Sequence, residues 1–176
     1  MKIGLAGTMS VGKTTLVNAL AQDDMFKYSY KFFTERSKEL KNMGIPLNKN
    51  STLIGQMCFM MERLRELQHF EMIADRTLID VLSFTLCSTE IPDDEKQILK
   101  NYTKELVEFY DVIFYIPMIL PLENNGVRET DEAFRKEIDN KILELLNEFK
   151  IPYVHITSLS IEDRVEEIKT WVIGES

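Results

Sequence analysis

Residues 7–14 read Gly7-Thr8-Met9-Ser10-Val11-Gly12-Lys13-Thr14, the spacing G-x-x-x-x-G-K-T. Backbone N–H groups can curl around phosphate oxygens only where the chain turns tightly, and Gly7 and Gly12 remove the Cβ from that path. Lys13 is then placed to reach the β- and γ-phosphates of a nucleoside triphosphate, and the Thr14 hydroxyl to hold Mg²⁺. The expected nucleotide contacts run from Gly7 through Thr15, with ATP and Mg²⁺ as the cofactors. The flanks agree with this. Lys2 to Ala6 is an apolar run suited to a buried strand, and Thr15 to Gln22 continues as a helix whose N-terminus faces the anion.

Three further polar clusters follow apolar runs. Glu35-Arg36 comes after Tyr30 to Thr34, Asp75-Arg76 after Phe70 to Ala74, and Asn124 to Arg135 after Asp111 to Ile116. In an open parallel sheet, ligands gather beyond the carboxyl ends of the strands, so all four clusters belong to one edge. Asp75 sits where a Mg²⁺-side carboxylate is needed, and could instead cap the helix beginning near Arg76. Glu35 is either a carboxylate that orients or deprotonates an acceptor hydroxyl, or a first-turn helix acid. Arg128 and Arg135 suit a lid over about residues 118–140 that closes positive charge over a transferring phosphoryl group. Arg135 could equally pair with Asp131 or Asp139 along its own helix.

The elements that must position these groups alternate strand-like and helix-like. A helix pattern from Thr52 to His69 carries Leu53, Met57, Met60, Met61, Leu64 and Leu67 at three- and four-residue spacing, a stripe expected in the core. Helices are expected from Leu78 to Cys87, from Asp93 to Phe109 behind Pro92, behind Thr130 as a cap, and from about Ser160. Tyr153 to Thr157 is the fifth strand. His69 and His155 lack ligand-spaced partners and are expected to be structural.

Composition narrows the partners. A net charge of −8 over 176 residues argues against a nucleic-acid polymer as partner, since its phosphates call for a basic footprint. Small anionic substrates need only a local positive site, which Lys13, Arg36, Arg76, Arg128 and Arg135 can supply. No stretch approaches ~18 uninterrupted apolar residues, and no signal-peptide pattern precedes the first strand, so no membrane contact and a cytoplasmic location are expected. Cys58 and Cys87 fall outside any C-x-x-C spacing and read as reduced core residues. The length suits one domain over residues 1–176.

On these residues the chain resembles the small P-loop nucleoside and nucleotide kinases, including thymidylate kinases and the nicotinamide-riboside kinase domains of bacterial NAD regulators. Kinases of this pattern are frequent in bacteriophages. Thymidylate kinases carry a Thr-Arg-Glu-Pro-type turn after strand two, where this chain has Thr34-Glu35-Arg36 in swapped order and without the proline. Their Asp-Arg pair after strand three is similar to Asp75-Arg76, followed by a helix with Asp80, Ser83 and Phe84. Their arginine-bearing segment after strand four is similar to Arg128 and Arg135.

The resemblance implies an α/β, three-layer P-loop kinase fold, with a five-stranded parallel sheet in the order 2-3-1-4-5, helices on both faces and a helical lid. It implies transfer of the ATP γ-phosphate to a small-molecule nucleoside or nucleotide. The catalytic set would be Lys13, Glu35, Arg76, Arg128 and Arg135, and the acceptor set Glu35, Arg36, Arg76, Asp80 and Phe84, with Thr14 and Asp75 on the metal. The paired Arg36 and Arg76 favour a thymidylate-kinase-like monophosphate acceptor, a nucleoside or nicotinamide riboside being the alternative. A homodimer is left open. A regulatory GTPase would need an Asn-Lys-x-Asp motif after its fourth strand, and Asn48-Lys49-Asn50-Ser51 lacks the Asp. An oligomeric motor would need a further helical domain, and a nucleotide-binding regulatory protein or other non-kinase NTPase remains as the last alternative.

Overall fold

The computed structural model describes residues 1–118 and 132–175. Five parallel strands, β1 (Lys2–Ala6), β2 (Lys31–Phe33), β3 (Met72–Asp75), β4 (Val112–Tyr115) and β5 (Tyr153–His155), lie in the order β2-β3-β1-β4-β5. Seven helices connect them among the described residues: α1 (Lys13–Leu20), α2 (Ser37–Asn42), α3 (Leu53–Glu66), α4 (Leu78–Leu86), α5 (Asp93–Leu106), α6 (Glu132–Glu148) and α7 (Ile161–Glu175). The order is the one the resemblance implied.

Strand side chains alternate between two cores, as period-two geometry requires of a sheet covered on both faces. Ile3, Leu5, Ile73 and Phe114 pack with α1 and α7, whereas Ala6, Met72, Ala74 and Tyr115 pack with α3, α4 and α6. The register sets Leu5 opposite Asp75 and Ala6 opposite Tyr115, which brings the strand-end loops of β1, β3 and β4 side by side. No helix among the described residues is long and apolar enough to cross a membrane.

Two expectations are corrected here. The methionine stripe of α3 is only half core: Met60 and Leu67 are buried, but Met57 and Met61 are exposed, at 45% and 66%. Helix α3 packs on α4 through one side of its apolar face, and Met57 and Met61 on the other side line an open apolar groove shared with Ile98 and Tyr102 of α5. Cys58 and Cys87 are free thiols but only half-buried. In addition, the sequence hinted at α2 only through Glu35 as a first-turn acid, because its six residues carry a single buried side chain, Leu40. Of the segment 118–140 expected as a lid, residues 119–131 lie outside the described residues, Arg128 and the Thr130 cap among them, and 132–140 open α6.

Beneath β3 lies a buried ionic cluster. Arg63 on α3 is 1% exposed, donates to the Asp75 carbonyl at 3.0 Å and pairs with Glu66, whose Oε2 finds no partner among the described residues. Burial, opposed by Arg63, pushes the Glu66 carboxyl from 4.5 up to about 7. The folded state therefore holds a proton that the unfolded chain releases between those values. Stability must fall as pH rises through that window and level off above it. Relative to Glu66→Gln, the parent should lose up to ~3 kcal/mol of unfolding free energy between pH 5 and pH 8. Urea denaturation of both proteins at the two pH values checks this, and an unchanged difference would place the charge elsewhere.

Candidate active site

The phosphate loop leaves β1 at Ala6 and enters α1 at Lys13. Its path needs both glycines: a Cβ at Gly7 would lie 2.5 Å from the Ile116 carbonyl oxygen, and Gly12 has φ +90°. Lys13 is buried, with Nζ donating to the Gly7 carbonyl at 2.6 Å and the Thr8 carbonyl at 2.8 Å. Burial lowers its pKa, against the nearby carboxylates of Asp80 and Asp75. The Thr14 hydroxyl donates to Asp75 Oδ2 in a short contact, and Asp75 is 1% exposed. A hydroxyl and one carboxylate form an oxygen-only donor pair beside the loop. That fits Mg²⁺, which takes few protein ligands and completes its shell with water and phosphate.

Across the cavity from the loop stand Glu35 and Arg76. Arg76 adopts φ +84°, unusual for a residue with a side chain, while its N–H continues the ladder to the Leu5 carbonyl at 3.1 Å. That turn carries its guanidinium over the Phe84 ring at 4.9 Å and the Phe59 ring at 6.0 Å, with Nη2 3.5 Å from Glu35 Oε1. Glu35 also accepts from the Ser37 N–H at 3.1 Å. Burial pushes the Glu35 carboxyl up, but Arg76, Ser37 and Lys13 together more than offset this and hold it below its ordinary value. One cavity is lined by Lys13, Thr14, Thr15 and Asp75 at the loop and by Glu35, Arg76 and Phe84.

The remaining residues expected at the site lie elsewhere. Arg36 is 57% exposed, pairs with Glu39 and Glu62, and does not line the cavity. Glu39 in the first turn of α2 and Glu62 on α3 lie within its reach. Asp80, expected in the acceptor pocket, is fully buried under the loop: Oδ1 accepts the Gly7 N–H at 3.0 Å, and Oδ2 accepts from the backbone and hydroxyl of Thr77. It is the third residue of a capping box, whose side chain must reach back toward the helix start. Ser83 is also buried and bonds back to Ile79. Arg135, expected over the phosphates, is 1% exposed and lies against the loop's outer side, with Nε donating to the Met9 carbonyl at 3.0 Å. His69 stacks on Phe33 at 5.3 Å and His155 tilts against Tyr115, as structural residues do.

Sequence reading missed Gln56, Phe59 and Arg164. Gln56 is 3% exposed and lines the cavity; its signal was an amide on the apolar face of α3, between Leu53 and Met60. No sequence signal marked Arg164, which reaches the loop from α7.

A strand, a glycine-lysine phosphate loop and a helix at the carboxyl edge of a parallel sheet define a phosphate-loop nucleotide-binding protein. A family model described as an AAA domain matches residues 2–164, and the chain belongs to that family. No curated protein matches the sequence significantly. Solved structures with the same fold include the NadR protein in complex with NAD and AMP-PNP, at TM-score 0.70 and 16% identity over 96% of this chain. The chain spans about half of that protein, 48% of its length. The deoxyadenosine kinase from M. mycoides with bound dCTP aligns at TM-score 0.66 and 16% identity, over 99% of this chain and 100% of that one. The thymidylate kinase from Ehrlichia chaffeensis aligns at 0.65 and 14%, over 98% of each. These likenesses establish the fold of the P-loop nucleoside and nucleotide kinases.

Proposed function

We propose that this protein is a kinase that transfers the γ-phosphoryl group of ATP to the hydroxyl of a nucleoside. The observation that carries this reading is Glu35, a carboxylate held ionised inside the cavity and facing the phosphate loop. The acceptor O–H gives its proton to Glu35, the oxygen bonds to the γ-phosphorus, and the bond from that phosphorus to the β–γ bridging oxygen breaks, releasing ADP. Lys13 meets the charge developing on the phosphoryl oxygens, and the loop amides hold the β-phosphate. Thr14 and Asp75 would hold Mg²⁺, which neutralises phosphate charge when bound. Phe84 and Phe59 line the cavity beneath the Arg76 guanidinium, and this planar cation over aromatic rings would form the surface against which a nucleobase stacks.

A monophosphate acceptor brings its own anion and asks for unpaired cations. Arg36 faces outward and Arg76 is already paired with Glu35, so the two arginines that favoured it in the sequence do not serve it. Lys38, which lines the cavity, is the observation that keeps this second reading. Simple ATP hydrolysis would leave the acceptor cavity without a task. Product analysis with ATP against panels of nucleosides, nicotinamide riboside and nucleoside monophosphates separates the three. A phosphorylated nucleoside supports the proposal, and turnover of monophosphates alone, or of ATP without acceptor, overturns it.

A further inference from the structure

Three consecutive carbonyls of the phosphate loop are gripped from outside by two buried arginines. Arg135, on α6, reaches the Met9 carbonyl at 3.0 Å and the Ser10 carbonyl at 3.4 Å. Arg164, on α7, donates Nη1 to the Val11 carbonyl at 2.8 Å and Nε to the Ser158 carbonyl at 3.0 Å, and is 0% exposed. Loop and clasp are fitted closely: a Cβ at Gly12 would stand 3.2 Å from Arg164 Nη1. A tie in the opposite sense joins the Thr8 hydroxyl to the Arg135 carbonyl at 2.8 Å.

A planar trans peptide unit points its N–H away from its C=O. Holding the carbonyls of Met9, Ser10 and Val11 on the outside therefore aims the N–H groups of Ser10, Val11 and Gly12 inward, at the space the phosphates take. We infer that Arg164, with Arg135 beside it, is a positioning residue for nucleotide binding: it sets the loop amides before the triphosphate arrives and adds positive charge behind them without touching it. The helix arising after the fifth strand thereby acts on the loop that follows the first.

A merely structural arginine would also be buried and bonded, so the burial itself does not decide. What singles out these two is where the bonds end, on successive carbonyls of the segment that must present its amides as a set. Preorganised donors bind an anion better than mobile ones because no ordering remains to be done on binding. The prediction is a selective loss on the phosphate side.

This inference rests on the phosphate loop binding a nucleoside triphosphate, and its test is built to fail separately. Calorimetry with Mg·ATP and with Mg·tripolyphosphate, which probes the loop without a base, is run on the parent, Arg164→Gln and Arg164→Lys. Arg164→Gln should weaken both ligands by ~10–100-fold, the range for losing a charge-assisted bond. The KM of the nucleoside acceptor should stay within twofold, while the melting temperature falls because buried carbonyls lose their partner, with the variant still folded at the assay temperature. Arg164→Lys should recover part of the loss, because a single ammonium cannot serve the Val11 and Ser158 carbonyls as a planar fork does. Equal affinity of Arg164→Gln and parent for both ligands overturns the inference, as does an acceptor KM that rises along with that for ATP. If Arg164→Gln does not fold, full parental affinity in Arg164→Lys overturns it. Should the parent bind neither ligand, the kinase reading falls, and the clasp is decided by backbone order parameters of Ser10, Val11 and Gly12 in the nucleotide-free protein. Lower values in Arg164→Lys sustain it, and unchanged values end it.

Discussion

Lys13→Ala should abolish phosphoryl transfer, by ~10³-fold or more in kcat, while the protein stays folded. The ammonium is the one loop cation placed to meet charge that grows on the transferring group, and no other side chain among those lining the cavity on the loop side carries a positive charge. It donates to the Gly7 and Thr8 carbonyls, both part of the loop it serves. Its burial disfavours the charged form, so truncation removes a group the core does not need. The melting temperature should therefore change little. Steady-state transfer assays alongside thermal unfolding check both halves, and near-parental turnover would remove the kinase assignment.

Glu35→Gln should be the second large effect, a loss of ~10²–10⁴-fold in kcat with the nucleoside KM nearly unchanged. The amide keeps the shape of the side chain and its bond from the Ser37 N–H, but cannot take the acceptor proton. Because Arg76, Ser37 and Lys13 hold the Glu35 carboxyl below 4.5 in spite of its burial, it is ionised throughout the neutral and mildly acidic range. A base with a depressed pKa works above that pKa and fails below it. No acid limb from Glu35 should therefore appear between pH 8 and pH 5.5, and the midpoint of the limb should lie below the ordinary value of a glutamate. So weak a base suffices, since in a loose phosphoryl-transfer transition state the acceptor proton is needed late. A modest effect of Glu35→Gln together with rapid turnover of a monophosphate would transfer the site to the second reading.

Much of this was legible from local pattern. The octapeptide lies between a strand and a helix because each of the three is specified within about ten residues, by apolar run, glycine spacing and helical periodicity. Strands alternating with helices left the parallel sheet as the one way to bury both faces. Glu35, Asp75 and Arg76 could be placed at the sheet's carboxyl edge for the same reason: a residue at a strand end has its position set by the strand.

What the sequence by itself determined, then, is the phosphate loop, the order of elements and the edge on which the polar residues gather, all consequences of short-range periodicity. Only the tertiary structure decided which way each charged side chain turns. Arg36 and Arg76 each follow a strand-end carboxylate, yet Glu39 and Glu62 draw the first outward, while a left-handed backbone turn and two aromatic rings carry the second in. Asp80 left the acceptor pocket because a capping box turns its side chain back to the helix start. Arg135 and Arg164 are ordinary helix residues in sequence and become loop ligands only because α6 and α7 pack against β1's loop, 126 and 153 residues away along the chain. A guanidinium at the end of three or four rotatable bonds takes its direction from whichever acceptors the fold brings near, and those acceptors are set by contacts far apart in sequence.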